Sequence, residues 1–300
     1  MSDPIFVSVG GGKGGVGKST VAANLGSILS KKGFSVGFID VDLGGANLHN
    51  FVGVKRPLLG LQDFLAGRAK SLEEVTCRTA IPNTWLISGA SDIMELADPK
   101  FSQKQRIISH LKTMKADFIF IDLGAGAGHH VTDFYASFPH GIIVSDSLPI
   151  SIENAYGFLK NGALRGLCRL FPGNKDIVQH IRLLSDLSAK NSFSTMQEML
   201  NACARIFPGE TRTMREWLSA KKNFLVLNMV REEEDIRIGK RFTEMVKKYL
   251  SLSLYYIGYI SFAPEFRDSM RGGKPPALES PRIESCFDVI ASNLISLTKA

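Results

Sequence analysis

The sequence contains no run of ~18 consecutive apolar residues, so it predicts no helix that spans a bilayer. It is poor in cysteine. Its four, Cys77, Cys168, Cys203 and Cys286, lie far apart with no CxxC pair. That spacing argues against a metal cage and against a disulfide framework, and the thiols are expected in the core. The opening segment, MSDPIFVSVGGG, lacks the basic head and long apolar body of a secretory signal, which predicts a cytoplasmic protein. No internal repeat or low-complexity tract appears. Neither sign of charge dominates: 36 basic against 29 acidic side chains leave a net charge of +7. With 44% hydrophobic and 22% charged residues, wholesale disorder is excluded. A chain of 300 residues can bury a core without staples.

Short apolar, β-branched runs punctuate the chain at 5–9 (IFVSV), 35–40 (SVGFID), 84–88 (TWLIS), 118–122 (FIFID), 141–145 (GIIVS), 224–230 (FLVLNMV) and 254–260 (LYYIGYI). Helical patterns separate them, for example VGKSTVAANLGSILSKKG, stopped at Gly33, and SQKQRIISHLKTM, with capping-box spacing at Ser102 and Gln105. Continuous apolar strands alternating with helices predict an α/β fold, a mostly parallel sheet covered by helices on both faces. Residues 161–222 break the rhythm with helical patterns, two FPG tripeptides and no strand. They read as a helical insertion within a single domain spanning 1–300. This segment also holds ten basic and five acidic residues, so most of the excess charge sits there. A polyanionic partner for Arg165, Arg169, Arg212 and Arg215 is therefore an open alternative.

Residues 10–20 read GGGKGGVGKST, and Gly12, Gly17, Lys18 and Ser19 satisfy GxxxxGK[ST] between an apolar strand and a helix. Backbone N–H groups of such a loop point inward around phosphate oxygens, and the helix N-terminus adds partial positive charge. Lys18 is expected at the β- and γ-phosphates and the Ser19 hydroxyl at Mg²⁺. Gly14, Gly15, Val16 and Thr20 complete the predicted cradle. FIDVDLGGANLH places Asp40 and Asp42 two residues apart at a strand end, aimed at one side. FIFIDLGAG supplies four apolar residues and then Asp122.

Lys13, inside KGGVGKST, makes the loop a deviant Walker A pattern, and the chain thereby resembles the MinD/ParA family of P-loop ATPases (the SIMIBI class). GGANLH without DPQG, together with LLGLQDFLAGRAKSLEEV and NTWLISGAS, is similar to the MinD and flagellar-number-regulator (FlhG/FleN) branch. The resemblance implies ATP and Mg²⁺ as ligands and slow hydrolysis stimulated by a partner. It also implies a homodimer formed with ATP, in which Lys13 crosses to the partner's phosphates. By the same route Asp42 would orient the attacking water, and Asp40 and Asp122 would support Mg²⁺ beside Ser19. Gly124 would lie in the nucleotide-sensing switch, and Gly44 and Gly45 near the γ-phosphate. Asn228 and residues near Phe262 to Glu265, Pro264 among them, would line the adenine. The function implied is an ATP-driven switch that positions a cellular assembly such as flagella or the division site. An ATP-gated DNA-binding protein and a non-hydrolysing scaffold stay open as alternatives.

Two departures stand out. SDSLP at 145–149 replaces the family's TxPE, and the last helix, RIESCFDVIASNLISL, carries Ser, Asn, Glu and Asp rather than Lys and Arg on its polar face. Membrane-surface helices favour the cations, so that helix is expected on the sheet, with a peripheral membrane contact as the lesser alternative. His129 and His130 are expected as a helix-start pair, and EEED at 232–235 as an acidic first turn.

Overall fold

In the computed structural model the apolar runs become strands of one eight-stranded sheet. The structure describes residues 3–43, 45–89, 99–184, 193–266 and 273–299. The strands are β1 (Ile5–Gly10), β2 (Val36–Asp40), β3 (Thr76–Arg78), β4 (Thr84–Ile87), β5 (Phe118–Asp122), β6 (His140–Ser145), β7 (Lys222–Val230) and β8 (Ser253–Ser261). Their spatial order is β3-β4-β2-β5-β1-β6-β7-β8, parallel throughout except between β3 and β4. The α/β class and parallel sheet are borne out. Strand β3 is an addition, because Thr-Cys-Arg has no apolar alternation and becomes a strand only by pairing with β4.

The helices are α1 (Lys18–Lys31), α2 (Leu48–Phe51), α3 (Leu61–Leu65), α4 (Phe101–Leu111), α5 (His129–Ser137), α6 (Pro149–Leu170), α7 (Lys175–Arg182), α8 (Met196–Ile206), α9 (Pro208–Ala220), α10 (Glu233–Leu250) and α11 (Pro281–Lys299). Alternation along β5 shows how they layer. Phe118 and Phe120 join the cluster containing Val21, Leu25 and Leu29 of α1 and Ile283, Phe287, Ile290 and Leu294 of α11. Ile119 and Ile121 join the opposite cluster, with Ile107 of α4, Phe134 of α5, Phe158 of α6 and Phe242 of α10. Strands covered on both faces have no solvent side, hence the unbroken apolar runs. The stripe of α11 is buried as expected, and Lys31 and Lys32 pair with Glu284 and Asp288. Among the described residues no helix is long and apolar enough to cross a membrane.

Helix ends refine the expectations. After α1, Gly33 N–H donates to Ser30 O (2.9 Å) and Phe34 N–H to Leu29 O (3.1 Å), a Schellman closure. The α4 cap lies two residues earlier than its spacing predicts. Lys100 N–H donates to Gln103 Oε1 (2.8 Å), because an amide reaching back closes the first turn without a hydroxyl at Ser102. The acidic start of α10 works as expected: Asp235 Oδ2 accepts from Arg231 N–H (3.0 Å) and Glu232 N–H (3.2 Å). Of the cysteines only Cys203 is buried; Cys77, Cys168 and Cys286 are half-buried.

The expected insertion boundary at Asn161 falls inside α6, which runs unbroken for 22 residues to Leu170. The first FPG follows the end of α6, whereas the second starts α9 with Pro208 in its first turn, where a missing N–H costs nothing. Met196, Met199, Leu200 and Cys203 of α8 and Met214 and Leu218 of α9 share one apolar cluster with the sheet. The stretch SDLSAK at 185–190 lies outside the described residues.

The structure also redistributes the charge. Asp133 on α5, fully buried, receives Lys104 Nζ from α4 (2.8 Å) and Arg165 Nε from α6 (2.6 Å). Arg169 Nη1 donates to Asp133 O (2.8 Å) and Ser137 Oγ (2.9 Å). Lys221 Nζ, buried, donates to Tyr135 O and Phe138 O at the C-terminal end of α5, and burial pushes its pKa down to about 7. Arg212 pairs with Glu216 (3.0 Å) and Arg215 bonds Asn201 Oδ1 (3.2 Å). The four arginines that motivated a polyanion thus have partners in their own chain, three of them as ties between helices. Sequence counting registers charge but not pairing.

Burial raises the Asp133 pKa, but the bonds from Arg165 and Lys104 outweigh it and hold the carboxyl below the usual range. Its contribution to stability is therefore present above the unfolded carboxylate range and lost as pH falls through the lowered folded value. Asp133→Asn is expected to cost about 3–5 kcal/mol in urea unfolding at pH 7, since it strands buried cations. The gap from the parent should narrow at acid pH, and a pH-independent gap would contradict the assignment.

Candidate functional site

Strand order brings the motifs together. β1, β5 and β2 are neighbours, and their C-terminal ends carry the P-loop, Asp122 and Asp40. Asp40 and Asp122 are directly paired across β2 and β5. Ligands of open parallel sheets bind at this edge.

The P-loop geometry explains its glycines. At Gly12 φ is +73°, and an added Cβ would sit 2.3 Å from Asn154 O on α6. At Gly17, the N-cap of α1, φ is +92° and a Cβ would meet Asn228 Nδ2 at 2.3 Å. Only glycine fits either place. Gly12 O accepts from Gly126 N–H (2.8 Å), so the loop is bonded to the segment after β5 that includes Gly124. Gly14 and Gly15 are exposed at the loop's tip, and Val16 is buried beneath it.

Lys18 is nearly buried and its Nζ donates to Lys13 O (3.2 Å), folding the ammonium over its own loop. Burial lowers its pKa, while Asp122 and Asp42 pull it back up. Lys13 Nζ donates to Ser151 Oγ (3.3 Å) in the first turn of α6. Ser151 was not anticipated; it is 138 residues away and no local pattern links the two. Asp40 accepts from Asp42 N–H and Leu48 N–H, both at 3.0 Å. Burial nevertheless lifts its pKa to about 6. Asp122 is raised well above the usual range by burial first and by Asp40 second, with a Ser19 hydrogen bond opposing.

These oxygens are hard donors suited to Mg²⁺: two carboxylates and the Ser19 hydroxyl. Asp122 Oδ1 is moreover buried without a hydrogen-bond partner, which fits an oxygen reserved for a cation. The Asp42 carboxylate is half-buried beside Gly124 and Gly45. Gly44 lies outside the described residues.

Beside the loop is a cleft of about 120 Å³ lined by Gly17, Thr20, Asn228, Met229, Phe262 and Phe266, among others. Asn228 Nδ2 donates to Val16 O (2.9 Å), so it tethers the P-loop as well as facing the cleft. Pro264 is exposed in the following turn and does not line the cleft, whereas Phe262 and Phe266 on either side of it do. Met229, with φ +59°, was also missed; nothing in its sequence context signals that conformation. RDSMRG at 267–272 lies outside the described residues.

A model of the CobQ/CobB/MinD/ParA nucleotide binding domain matches residues 7–276. The flagellum site-determining protein YlxH of Helicobacter pylori is 36% identical over 162 residues, 52% of each chain. The antiactivator FleN of Pseudomonas aeruginosa is 29% identical over 155 residues, 51% of this chain and 55% of that protein. The chain thus spans about half the length of the curated relatives it matches. Among solved structures, the septum site-determining protein MinD of Pyrococcus horikoshii, complexed with Mg-ADP, superposes with TM-score 0.65 at 21% identity. That match covers 98% of this chain and 97% of the other, and supports the fold.

Removing the Asn228 tether should loosen the loop. Asn228→Ala is expected to raise the ADP dissociation constant roughly fivefold, the equivalent of one hydrogen bond of about 1 kcal/mol. Titration calorimetry checks it, and unchanged affinity would dismiss the tether.

Proposed function

Because this chain belongs to the CobQ/CobB/MinD/ParA family of nucleotide-binding domains, we propose that it is an Mg²⁺-dependent ATPase that dimerises on ATP and positions a cellular assembly. The flagellar and septum-site names of its relatives YlxH and MinD motivate flagella or the division site as that assembly. The observation that carries the reading is the convergence of Lys13, Lys18, Ser19, Asp40, Asp42 and Asp122 at the ends of three adjacent strands. Ser19, Asp122 and Asp40 are the residues to hold Mg²⁺, which when bound neutralises charge on the transferring phosphoryl group.

The protein's part is positioning and electrostatics. Lys18 exchanges the Lys13 carbonyl for phosphate oxygens. Loop N–H groups and the α1 N-terminus meet the remaining phosphate charge. Asp42 orients the attacking water, and the cleft beside Asn228 and Phe262 takes the base. Lys13 holds its own Ser151 in the resting chain and must leave it to reach a second copy. ATP shifts a monomer–dimer equilibrium only through contacts ADP lacks, and the γ-phosphate supplies that difference. A protein partner would stimulate the slow hydrolysis in the cytoplasm.

Light scattering with ATP and Mg²⁺ tests the switch. The parent is expected to dimerise with ATP and not with ADP, and Lys13→Ala to stay monomeric while binding nucleotide. A mutant that still dimerises would defeat the proposal. Asp42→Asn should bind ATP but release phosphate at least about 10²-fold more slowly. If the parent releases no more phosphate than that variant, a non-hydrolysing scaffold takes its place.

A further inference from the structure

We propose that His130 is a positioning residue that fixes the loop carrying Asp42 to helix α5. The inference rests on the hydrolytic role given to Asp42 above. The peptide unit joining Val41 to Asp42 is gripped at both ends: its carbonyl lies 3.1 Å from His130 Nε2, and its N–H donates to Asp40 Oδ1 at 3.0 Å. Since a peptide unit is planar and rigid, two bonds on opposite ends set its plane, and with it the direction from which the Asp42 side chain departs. The preceding unit is held too, by Val41 N–H donating to Asp122 O (3.1 Å). The carboxylate so aimed lies over the switch segment, where a Cβ added at Gly124 would come within 3.2 Å of Asp42 Cγ. For the carbonyl to accept, Nε2 must carry the proton.

His130 can act as a strut because its own base does not move freely. Its ring stands edge-on to Phe134, with centroids 5.5 Å apart, and Phe134 is buried. Thr132 Oγ1 bonds Gly128 O (2.9 Å) at the start of α5, Asp133 ties the middle to α4 and α6, and Lys221 ties the end. The exposed neighbour His129 makes no comparable reach across the site. An imidazole one position further along a helix start therefore has a different task from the pair expected there.

The test compares the parent with His130→Ala and His130→Gln, whose amide nitrogen can stand where Nε2 does. In nucleotide-free protein, hydrogen exchange at the amides of Asp42 and Leu48 should quicken roughly tenfold in the alanine variant and return towards the parent in the glutamine variant, while β7 and β8 stay unchanged. Phosphate release should fall roughly tenfold in the alanine variant, with ADP affinity kept and glutamine restoring the rate. Unchanged exchange in His130→Ala, equal acceleration across β7 and β8, or no rescue by glutamine would each overturn the proposal. If the parent hydrolyses no ATP, the hydrolytic reading fails instead, and the exchange measurement still decides the strut.

Discussion

Two carboxylates buried side by side, Asp40 and Asp122, are the constraint around which the sheet edge is built. Each loses its hydration on burial, and a neighbouring carboxylate adds repulsion, Asp42 on Asp40 and Asp40 on Asp122, so both pKa values rise. The protein offsets this with the means nearby: backbone N–H groups of Asp42 and Leu48 on Asp40, and the Ser19 hydroxyl and the Lys18 ammonium on Asp122. Each offset also fixes a piece of the site. The Asp40 carboxylate shapes the turn that holds Asp42. Ser19 and Lys18 anchor the first turn of α1. An arrangement costly for the empty chain is thereby preorganised for a cation and phosphates, the usual trade of local stability for function.

The parts of this site that were legible in the sequence are those whose chemistry needs a fixed local spacing. A glycine loop before a helix has to be contiguous, and a carboxylate at a strand end has to follow the apolar run that makes the strand. The sheet followed from the same runs. What was not legible depends on partners distant in sequence. Ser151 meets Lys13, Val41 meets His130, and Thr76–Arg78 becomes a strand only against β4. The composition change at Asn161 does not coincide with a helix end, because a helix is ended by its cap. The arginines of that segment look like a basic face until Asp133 is found beneath two of them.

That pairing bears on what residues 161–222 can do. Helix α6 spans about 33 Å if regular, and three of its stations are occupied. Ser151 in the first turn holds the P-loop lysine, Arg165 and Arg169 clamp α5, and the chain beyond Leu170 leads into α7–α9. α5 in turn carries His130 at one end and rests on Lys221, between α9 and β7, at the other. The buried cations therefore do not advertise a partner; they join α4, α5 and α6 into a unit that touches Lys13 of the P-loop through Ser151. Helix α6 therefore meets the P-loop lysine at Ser151 and clamps α5 at Arg165 and Arg169, so these two arginines serve helix packing beside the nucleotide loop.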